Sequence, residues 1–168
     1  MNQRFVGICA IVALAVATAS AQNKLTMSGK CSKADVTQSL PAGDHEGHTL
    51  TLSQGKCSAN GDINGATGKE GTYTEQGDLT PTHLKNWGVY VESMDSGDKV
   101  FYSYQSSATM KDGALQTGTN KWQITGGTGK MKGIKGSGTC KLTGGKDGGL
   151  DYSCSGEYTV AGSAPAKK

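Results

Sequence analysis

Aromatic side chains and one carboxylate recur through the middle of the sequence, and together they could build a ligand pocket. A core position is the default expectation for such side chains. The interior of an eight-stranded barrel, however, is just wide enough to hold one small ligand. Tyrosine and glutamate would then supply polar contacts inside an apolar pocket. The candidate ligand-binding residues are Trp87, Tyr90, Glu92, Tyr102, Tyr104 and Trp122.

The segment Asp44-His45-Glu46-Gly47-His48 holds the densest cluster of titratable groups. Histidine and carboxylate are common zinc ligands. The second histidine comes one residue too early for the helical H-E-x-x-H motif, and neighbouring Pro41 and Gly43 indicate a loop. On a strand, His45 and His48 would face opposite sides. We therefore predict a solvated loop, no metal site and no cofactor, with a site at His45 and His48 as the alternative.

The glycine-rich stretch from Gly126 to Gly138 resembles a phosphate-binding loop only superficially. A Walker A motif needs a glycine five residues before Gly129, where Ile124 stands, and it needs Ser or Thr where Met131 stands. The dinucleotide fingerprint lacks its third glycine. No serine lies in a G-x-S-x-G motif. These glycines are therefore assigned to bulges and curvature, and no catalytic residue is predicted.

The N-terminus has the organisation of a signal peptide. Arg4 gives a basic start, Phe5 to Val16 is an uncharged apolar run, and Ala19-Ser20-Ala21 is a small-x-small cleavage signal. The run is too short for a transmembrane helix. Residues 1–21 are therefore predicted to be a cleaved signal peptide, which places the protein in the periplasm or outside the cell.

Cleavage after Ala21 would leave an even number of cysteines, which in an exported chain predicts two disulfides. No two of them have the C-x₂-C spacing of a zinc site. One pair is symmetric about Asp147, in a glycine-rich turn, so a hairpin there would place the two side chains opposite each other. The predicted disulfides are Cys140–Cys154 and Cys31–Cys57.

The second pairing needs an extra assumption. Cys31 and Cys57 are symmetric about Asp44, but Cys57 has the opposite parity to Leu50 and Leu52. If the leucines share the core face, a bulge is required near Gly55.

Short alternating runs between Gly, Asp and Asn clusters predict about eight antiparallel strands. No segment has a helical period of apolar residues. Short successive connections from Trp87 onward favour an up-and-down meander, and closure would remove its edges. We predict an all-β, eight-stranded antiparallel up-and-down β-barrel over residues 22–161 and a disordered tail over 162–168. The predicted strands are Leu25 to Cys31, Thr49 to Ser53, Thr72 to Leu79, Leu84 to Met94, Lys99 to Met110, Ala114 to Thr125, Met131 to Leu142, and Leu150 to Val160.

Charge and hydropathy exclude two classes of partner. The formal net charge is only +3, and one of its positive charges, Arg4, lies in the predicted signal peptide. This balance gives no argument for binding nucleic acid or an anionic membrane. There is no second apolar segment, so membrane insertion is not expected.

The segment from Ile124 to Gly138, with its Gly126-Gly127-Thr128-Gly129 core, resembles the G-G-T-G segment of the dirigent and allene oxide cyclase barrels. It is also similar to small exported bacterial proteins of that barrel type. The likeness covers Gly71 to Tyr158 and implies an eight-stranded antiparallel barrel with a central cavity. Plant members steer radical coupling or cyclise a fatty-acid epoxide. Their functional acidic and basic residues have no matching positions here, so no activity is carried over.

The leading hypothesis is an exported, non-enzymatic β-barrel that binds a small hydrophobic or aromatic ligand, or a protein partner. One alternative is a barrel enzyme of cyclase or isomerase type. Another is a structural protein of the cell envelope. A cavity lined by Tyr, Trp and a buried Glu would favour ligand binding or catalysis, whereas a flat apolar surface patch would favour protein interaction.

Overall fold

The computed structural model describes residues 22–160, which are almost entirely β-strand. The predicted signal peptide and C-terminal tail lie outside these residues. No helix of the described part has the length and apolar character needed to span a bilayer. The strands are β1 (Asn23–Cys31), β2 (Val36–Pro41), β3 (Thr49–Ile63), β4 (Ala66–Leu79), β5 (His83–Met94), β6 (Lys99–Lys111), β7 (Ala114–Gly127), β8 (Lys135–Gly144) and β9 (Leu150–Thr159).

Eight of these strands form a closed antiparallel barrel, as predicted, and β2 is an additional strand. Strands β3 to β9 form a continuous meander. Strand β1 closes it, because it pairs with β9 on one side and with the second half of β3 on the other. Strand β2 continues in the direction of β1 and pairs with the first half of β3. Among residues 22–160 it has no second strand neighbour, so β2 is an edge strand.

Tight turns connect the strands at both ends of the barrel. The β3–β4 turn consists of Asn64 and Gly65, and the β6–β7 turn of Asp112 and Gly113, all with positive φ. Asn-Gly and Asp-Gly pairs are the preferred residues of two-residue hairpin turns, which need this backbone conformation. The β6–β7 turn was predicted from its sequence. The Asn64–Gly65 turn was not recognised.

Both predicted disulfides are present, and each links directly opposed residues of two neighbouring strands. Cys140 of β8 faces Cys154 of β9. Cys31 of β1 faces Cys57 of β3. Disulfides of this kind are typical of proteins that fold in an oxidising compartment.

The bulge expected near Gly55 is absent. The β3–β4 register runs without interruption from Thr49 to Ser58, and the irregularity lies between Ser58 and Asp62. Leu50 and Leu52 therefore alternate regularly with Cys57 and point outward, where about half of each side chain is exposed. The expectation failed because it placed every leucine in the core, whereas the cysteine parity already marked the inward face.

Several predicted strand boundaries also change. Strand β4 begins at Ala66, six residues before the predicted Thr72. Strand β3 continues ten residues beyond the predicted Ser53, to Ile63. Residues Met131 to Ile134 were predicted to begin β8, but they belong to the β7–β8 connection, which contains a single 3₁₀ turn at Gly129–Met131. Met131 and Ile134 are almost completely buried, so their apolar character reflects packing against the barrel end rather than strand pairing.

Apolar side chains fill one end of the barrel, where β3 ends and β4 begins. These side chains come from the ends of several strands and from the β7–β8 connection. They include Leu25, Ile63, Met94, Val100, Ile124, Met131, Ile134 and Tyr158. The Tyr158 hydroxyl accepts a hydrogen bond from the Asn64 backbone N–H at 2.8 Å, which ties β9 to the β3–β4 turn. This end is therefore closed, and open space in the barrel lies in the opposite half.

Candidate functional site

The candidate site is the interior of the other half of the barrel, which the apolar side chains of the filled end do not occupy. Alternate residues of each strand face this interior. Tyr90 on β5 is opposite Tyr73 on β4 and Tyr102 on β6, and Tyr104 is opposite Trp122 on β7. Register thus gathers aromatic residues from four consecutive strands, and β9 adds Tyr152 from the other side.

Glycines on neighbouring strands make room for these rings. A Cβ atom at Gly71 would overlap the ring of Tyr90, and one at Gly55 would overlap that of Tyr73. The indole of Trp122 occupies the space that side chains at Gly138 and Gly156 would need. Each ring therefore lies against the barrel wall above a glycine, rather than across the interior.

Because the rings lie along the wall, a cavity of about 110 Å³ remains between them. Its accessible surface is mostly apolar, and both disulfides take part in its lining. The polar contributions include Ser106 and Asn120. The complete lining consists of Met27, Cys31, Cys57, Tyr73, Tyr90, Tyr102, Tyr104, Ser106, Asn120, Trp122, Cys140, Leu142, Leu150, Tyr152 and Cys154.

Edge-on aromatic contacts fix the orientation of the rings. Tyr102 meets Trp122 in a T-shaped arrangement with 6.0 Å between centroids, and its ring is tilted against that of Tyr90 at 5.8 Å. Such pairs stabilise a structure by about 0.5–1.5 kcal/mol beyond the burial of their area. The Tyr152 hydroxyl donates to the Ser58 carbonyl at 2.8 Å, which anchors β9 to β3 across β1. The wall of the cavity is therefore pre-formed.

Glu92 lies in the barrel interior behind this wall and, among the described side chains, is the one fully buried charged residue, with 1% of its surface exposed. The Tyr102 hydroxyl donates to Glu92 Oε2 at 2.6 Å. The other carboxyl oxygen occupies the space beside Gly68. Burial raises the pKa of Glu92, and the hydrogen bond from Tyr102 offsets only part of this effect. Burial likewise raises the pKa of Tyr102, and the Glu92 carboxylate adds to it.

A second tyrosine–glutamate pair lies nearby. The Tyr104 hydroxyl donates to Glu75 Oε2 at 2.7 Å, and the Asn86 side-chain amide donates to Oε1 at 2.8 Å. Burial raises the pKa of Glu75, although both hydrogen bonds act in the opposite direction. Two carboxyl groups of the barrel interior thus retain a proton more tightly than exposed glutamates do.

Five of the six candidate ligand-binding residues lie together in the barrel interior: Tyr90, Glu92, Tyr102, Tyr104 and Trp122. Trp87 does not join them. It is opposite Gln76 and Gln105 on the outer face, and 43% of its surface is exposed. Its parity on β5 is opposite to that of Tyr90, so register forces it outward.

The sequence reasoning missed several members of the site. Tyr73, Tyr152, Glu75 and Asn120 face the interior but were not selected. The cysteines carried a usable signal, because Tyr152 shares the parity of Cys154 on β9 and Asn120 is opposite Cys140. Inward parity set by the disulfides would have identified both residues.

A wider groove of about 910 Å³ crosses the outer face of β3 to β8. Its sides carry Gln76, Trp87, Gln105 and Gln123, and its floor is the backbone of the same strands. It is larger than the interior cavity, and its lining is more polar. The interior is the better candidate because its lining is mostly apolar and includes buried polar groups, as in most small-molecule sites.

The histidine segment forms a hydrogen-bonded loop at the open end of the barrel. His48 Nδ1 lies 2.6 Å from Asp44 Oδ1, and Nε2 lies 3.1 Å from Asp78 Oδ1 on β4. The ring of His45 stacks on that of His48 at 4.6 Å, so the two histidines share one side. The hydrogen bond to Asp44 raises the pKa of His48 and lowers that of Asp44.

This loop also brings three ligand atoms of Asp44, His45 and His48 within 4.8 Å of one another. That spacing would suit a metal ion. However, Asp44 and His48 already form a hydrogen bond with each other, and His48 forms a second one with Asp78. These hydrogen bonds connect the β2–β3 loop to β4 without a metal ion. The alternative metal site stays a prediction.

Comparisons of the chain with protein-family models, with curated proteins and with solved structures found no match. The resemblance to dirigent and allene oxide cyclase barrels therefore stays a prediction.

Proposed function

We propose that this protein is an exported, non-enzymatic β-barrel that binds a small apolar or aromatic molecule in its interior. The observation that carries the proposal is the cavity of about 110 Å³, lined by tyrosine and tryptophan rings that lie against the wall. Disulfides on two sides of the cavity limit its collapse, because each ties opposed strands together. A pre-formed apolar cavity with a few polar groups is the usual form of a small-molecule site.

Native mass spectrometry of the protein purified from its own envelope tests this proposal. We expect a retained small molecule, or a mass shift after incubation with a single-ring aromatic compound. A Gly71→Ala variant is the matched probe, because its extra methyl group would push the Tyr90 ring toward the cavity and reduce binding. A folded protein that retains nothing and takes up no aromatic probe would contradict the proposal.

Export is the second part of the proposal. The two disulfides fit an oxidising compartment, and the apolar N-terminal run supplies the signal. N-terminal sequencing of the protein from its native source is expected to begin at Gln22. A mature chain that begins at Met1 and is found in the cytoplasm would refute it.

An enzyme of cyclase or isomerase type is the second candidate, and one observation favours it. Glu75 and Glu92 are buried carboxyl groups with raised pKa values, each bonded to a tyrosine hydroxyl. A carboxyl group whose pKa is raised holds its proton more tightly and can act as a general acid. Neither carboxylate lines the cavity directly, however, so binding without chemistry is the better supported function. Conversion of a bound molecule that Glu75→Gln abolishes would establish the enzyme instead.

A protein partner is favoured by a different surface. Six large apolar side chains are exposed on the outer face of β2, β3 and β5: Val36, Leu40, Leu50, Leu52, Trp87 and Val89. Leu40 is directly opposite Leu50, whereas Gln76 of β4 separates Leu52 from Trp87, so β2 and β3 carry the apolar part of this face. Exposed apolar residues grouped in this way are of the kind that protein interfaces use. Analytical ultracentrifugation of the wild type and a Leu40→Ser/Leu52→Ser variant would show whether the patch mediates association.

A further inference from the structure

Three buried side-chain polar atoms among residues 22–160 have no hydrogen-bond partner, and all three residues line the interior cavity. The atoms are the Tyr90 hydroxyl, Asn120 Oδ1 and Trp122 Nε1. Buried polar groups in folded proteins are almost always paired, because an unpaired one loses its hydration without compensation. Their convergence on one cavity indicates that something in this cavity completes them.

The clearest of the three is the indole of Trp122, of which only 4% is exposed. An indole N–H can only donate. Asn120 lies two residues before it on β7, on the same inward face, and presents an acceptor. The Tyr90 hydroxyl has the Tyr152 hydroxyl beside it as a weak partner, although the two miss full hydrogen-bond geometry. The cavity therefore offers a donor, an acceptor and a hydroxyl.

A hydroxyl group complements this set better than other small polar groups do, because it accepts one hydrogen bond and donates another. An anion is disfavoured since none of the lysine or arginine side chains that the structure describes lines the cavity. A cation is disfavoured since no carboxylate reaches the lining. The site thus selects for a neutral group.

Size and wall chemistry restrict the remainder of the molecule. The cavity of about 110 Å³ is of the same order as apolar protein cavities of about 150 Å³ that take up benzene. Its wall consists largely of tyrosine and tryptophan rings, which pack well against another ring, edge-on or offset. A single six-membered ring is therefore the fitting size.

We propose that the cavity binds a neutral, single-ring aromatic alcohol of the phenol type, with its hydroxyl shared between the Trp122 indole N–H and the Asn120 side-chain oxygen. This inference rests on the proposed ligand-binding function and names the ligand class. The ring lies among the tyrosines, and the hydroxyl points to β7.

Fluorine NMR with two probes tests this inference. 4-Fluorophenol and fluorobenzene differ only in the hydroxyl, so the ratio of their dissociation constants measures its contribution. We expect 4-fluorophenol to bind about tenfold more tightly, the factor for one well-made hydrogen bond in a buried site. 4-Fluorobenzoate, an anion, is expected not to bind.

Asn120→Leu supplies the decisive variant, because it replaces the polar end of the side chain with methyl groups of similar volume. It is expected to lower the preference for 4-fluorophenol to about threefold or less while fluorobenzene binding changes little. Asn60→Leu, at an exposed position of β3, is the matched control and should leave both constants unchanged. Circular dichroism and thermal melts verify that both variants fold.

The outcomes separate this inference from the proposed function. Equal binding of both probes, or a preference that survives Asn120→Leu, overturns the assignment of a phenol-type ligand and leaves a purely apolar pocket. If neither probe binds the folded wild-type protein, ordered water alone completes the three polar atoms, and the proposed function fails as well.

Discussion

Replacement of Glu92 by glutamine should make the protein more stable at neutral pH, although it alters a buried, hydrogen-bonded residue. Burial raises the pKa of Glu92 in the folded protein above its ordinary value of 4.5. The native state therefore holds this proton more tightly than the unfolded chain does. The contribution of Glu92 to stability is complete below the pKa of the unfolded chain and is lost as pH rises through the raised folded pKa.

The size of the effect follows from this linkage. Between the two pKa values, one group changes the free energy of unfolding by at most about 1.4 kcal/mol per pH unit. Glutamine is neutral and of similar shape, and its Oε1 can still accept the hydrogen bond of the Tyr102 hydroxyl. The stability of Glu92→Gln minus that of the wild type should therefore grow from about pH 4.5 upward, until the folded carboxyl has ionised.

Urea unfolding monitored by circular dichroism from pH 4 to pH 8 measures this difference. Glu75 has a raised pKa as well, but it is present in both proteins and cancels in the comparison. Glu157→Gln, which removes an exposed carboxylate of β9, is the matched control variant. Parallel curves for Glu92→Gln and the wild type, or a gap that shrinks as pH rises, would refute the reasoning.

Three further predictions concern the disulfides, the glycines and the histidine loop. Loss of the Cys31–Cys57 disulfide, which spans 26 residues, should lower the free energy of unfolding by about 3.5 kcal/mol. Loss of Cys140–Cys154, which spans 14 residues, should lower it by about 3 kcal/mol. The first effect is larger because the unfolded chain gains more entropy when a longer loop is opened. Urea titrations of the two double-alanine variants measure this, and the reverse order would contradict the entropic account. Gly71→Ala should cost about 1–3 kcal/mol because its methyl group overlaps the Tyr90 ring, whereas Gly126→Ala, where the space is open, should change stability by about 0.5 kcal/mol or less in thermal melts. An NMR titration should place the pKa of His48 above its usual value and return it toward that value in Asp44→Asn, and an unchanged midpoint in that variant would exclude the hydrogen bond as the cause.

Much of the barrel could be predicted from the sequence because local signals and the cysteine positions agree. Turn residues delimit the strands of the C-terminal half, and Cys140 and Cys154 are equidistant from Asp147. That symmetry fixes both the β8–β9 register and the inward face of each strand. The resulting pair of disulfide-linked residues is the one found.

The first half was harder because its strands carry mixed signals. Strand β2 has six exposed residues and no buried side, so alternation could not reveal it. Leu50 and Leu52 are apolar but face outward, which inverted the inferred core face of β3. Long-range pairing with β1 and β4 decides this orientation, and hydropathy alone does not contain it.

The site was only partly predictable for the same reason. Both parities of β5 are apolar, with Trp87 and Val89 on one side and Tyr90 on the other, so the two aromatic residues looked equivalent. The barrel register separates them and sends Trp87 outward. Which glycine faces which ring likewise depends on pairing between strands far apart in the sequence.

The glycines that lie against aromatic rings connect the high glycine content of the chain, 26 of 168 residues, to its cavity. At the end filled by apolar side chains, Met131 and Ile134 are almost completely buried within the core cluster. In the other half, Gly55, Gly71 and Gly138 leave room along the wall, so the rings above them lie flat and the centre stays open. Larger residues at these positions would turn the rings inward and close the cavity. A barrel selected only for stability would fill this space, because empty volume is costly in a core. Glycines that hold aromatic rings against the wall, beside three polar atoms without partners, are therefore better explained by an occupant than by the stability of the fold.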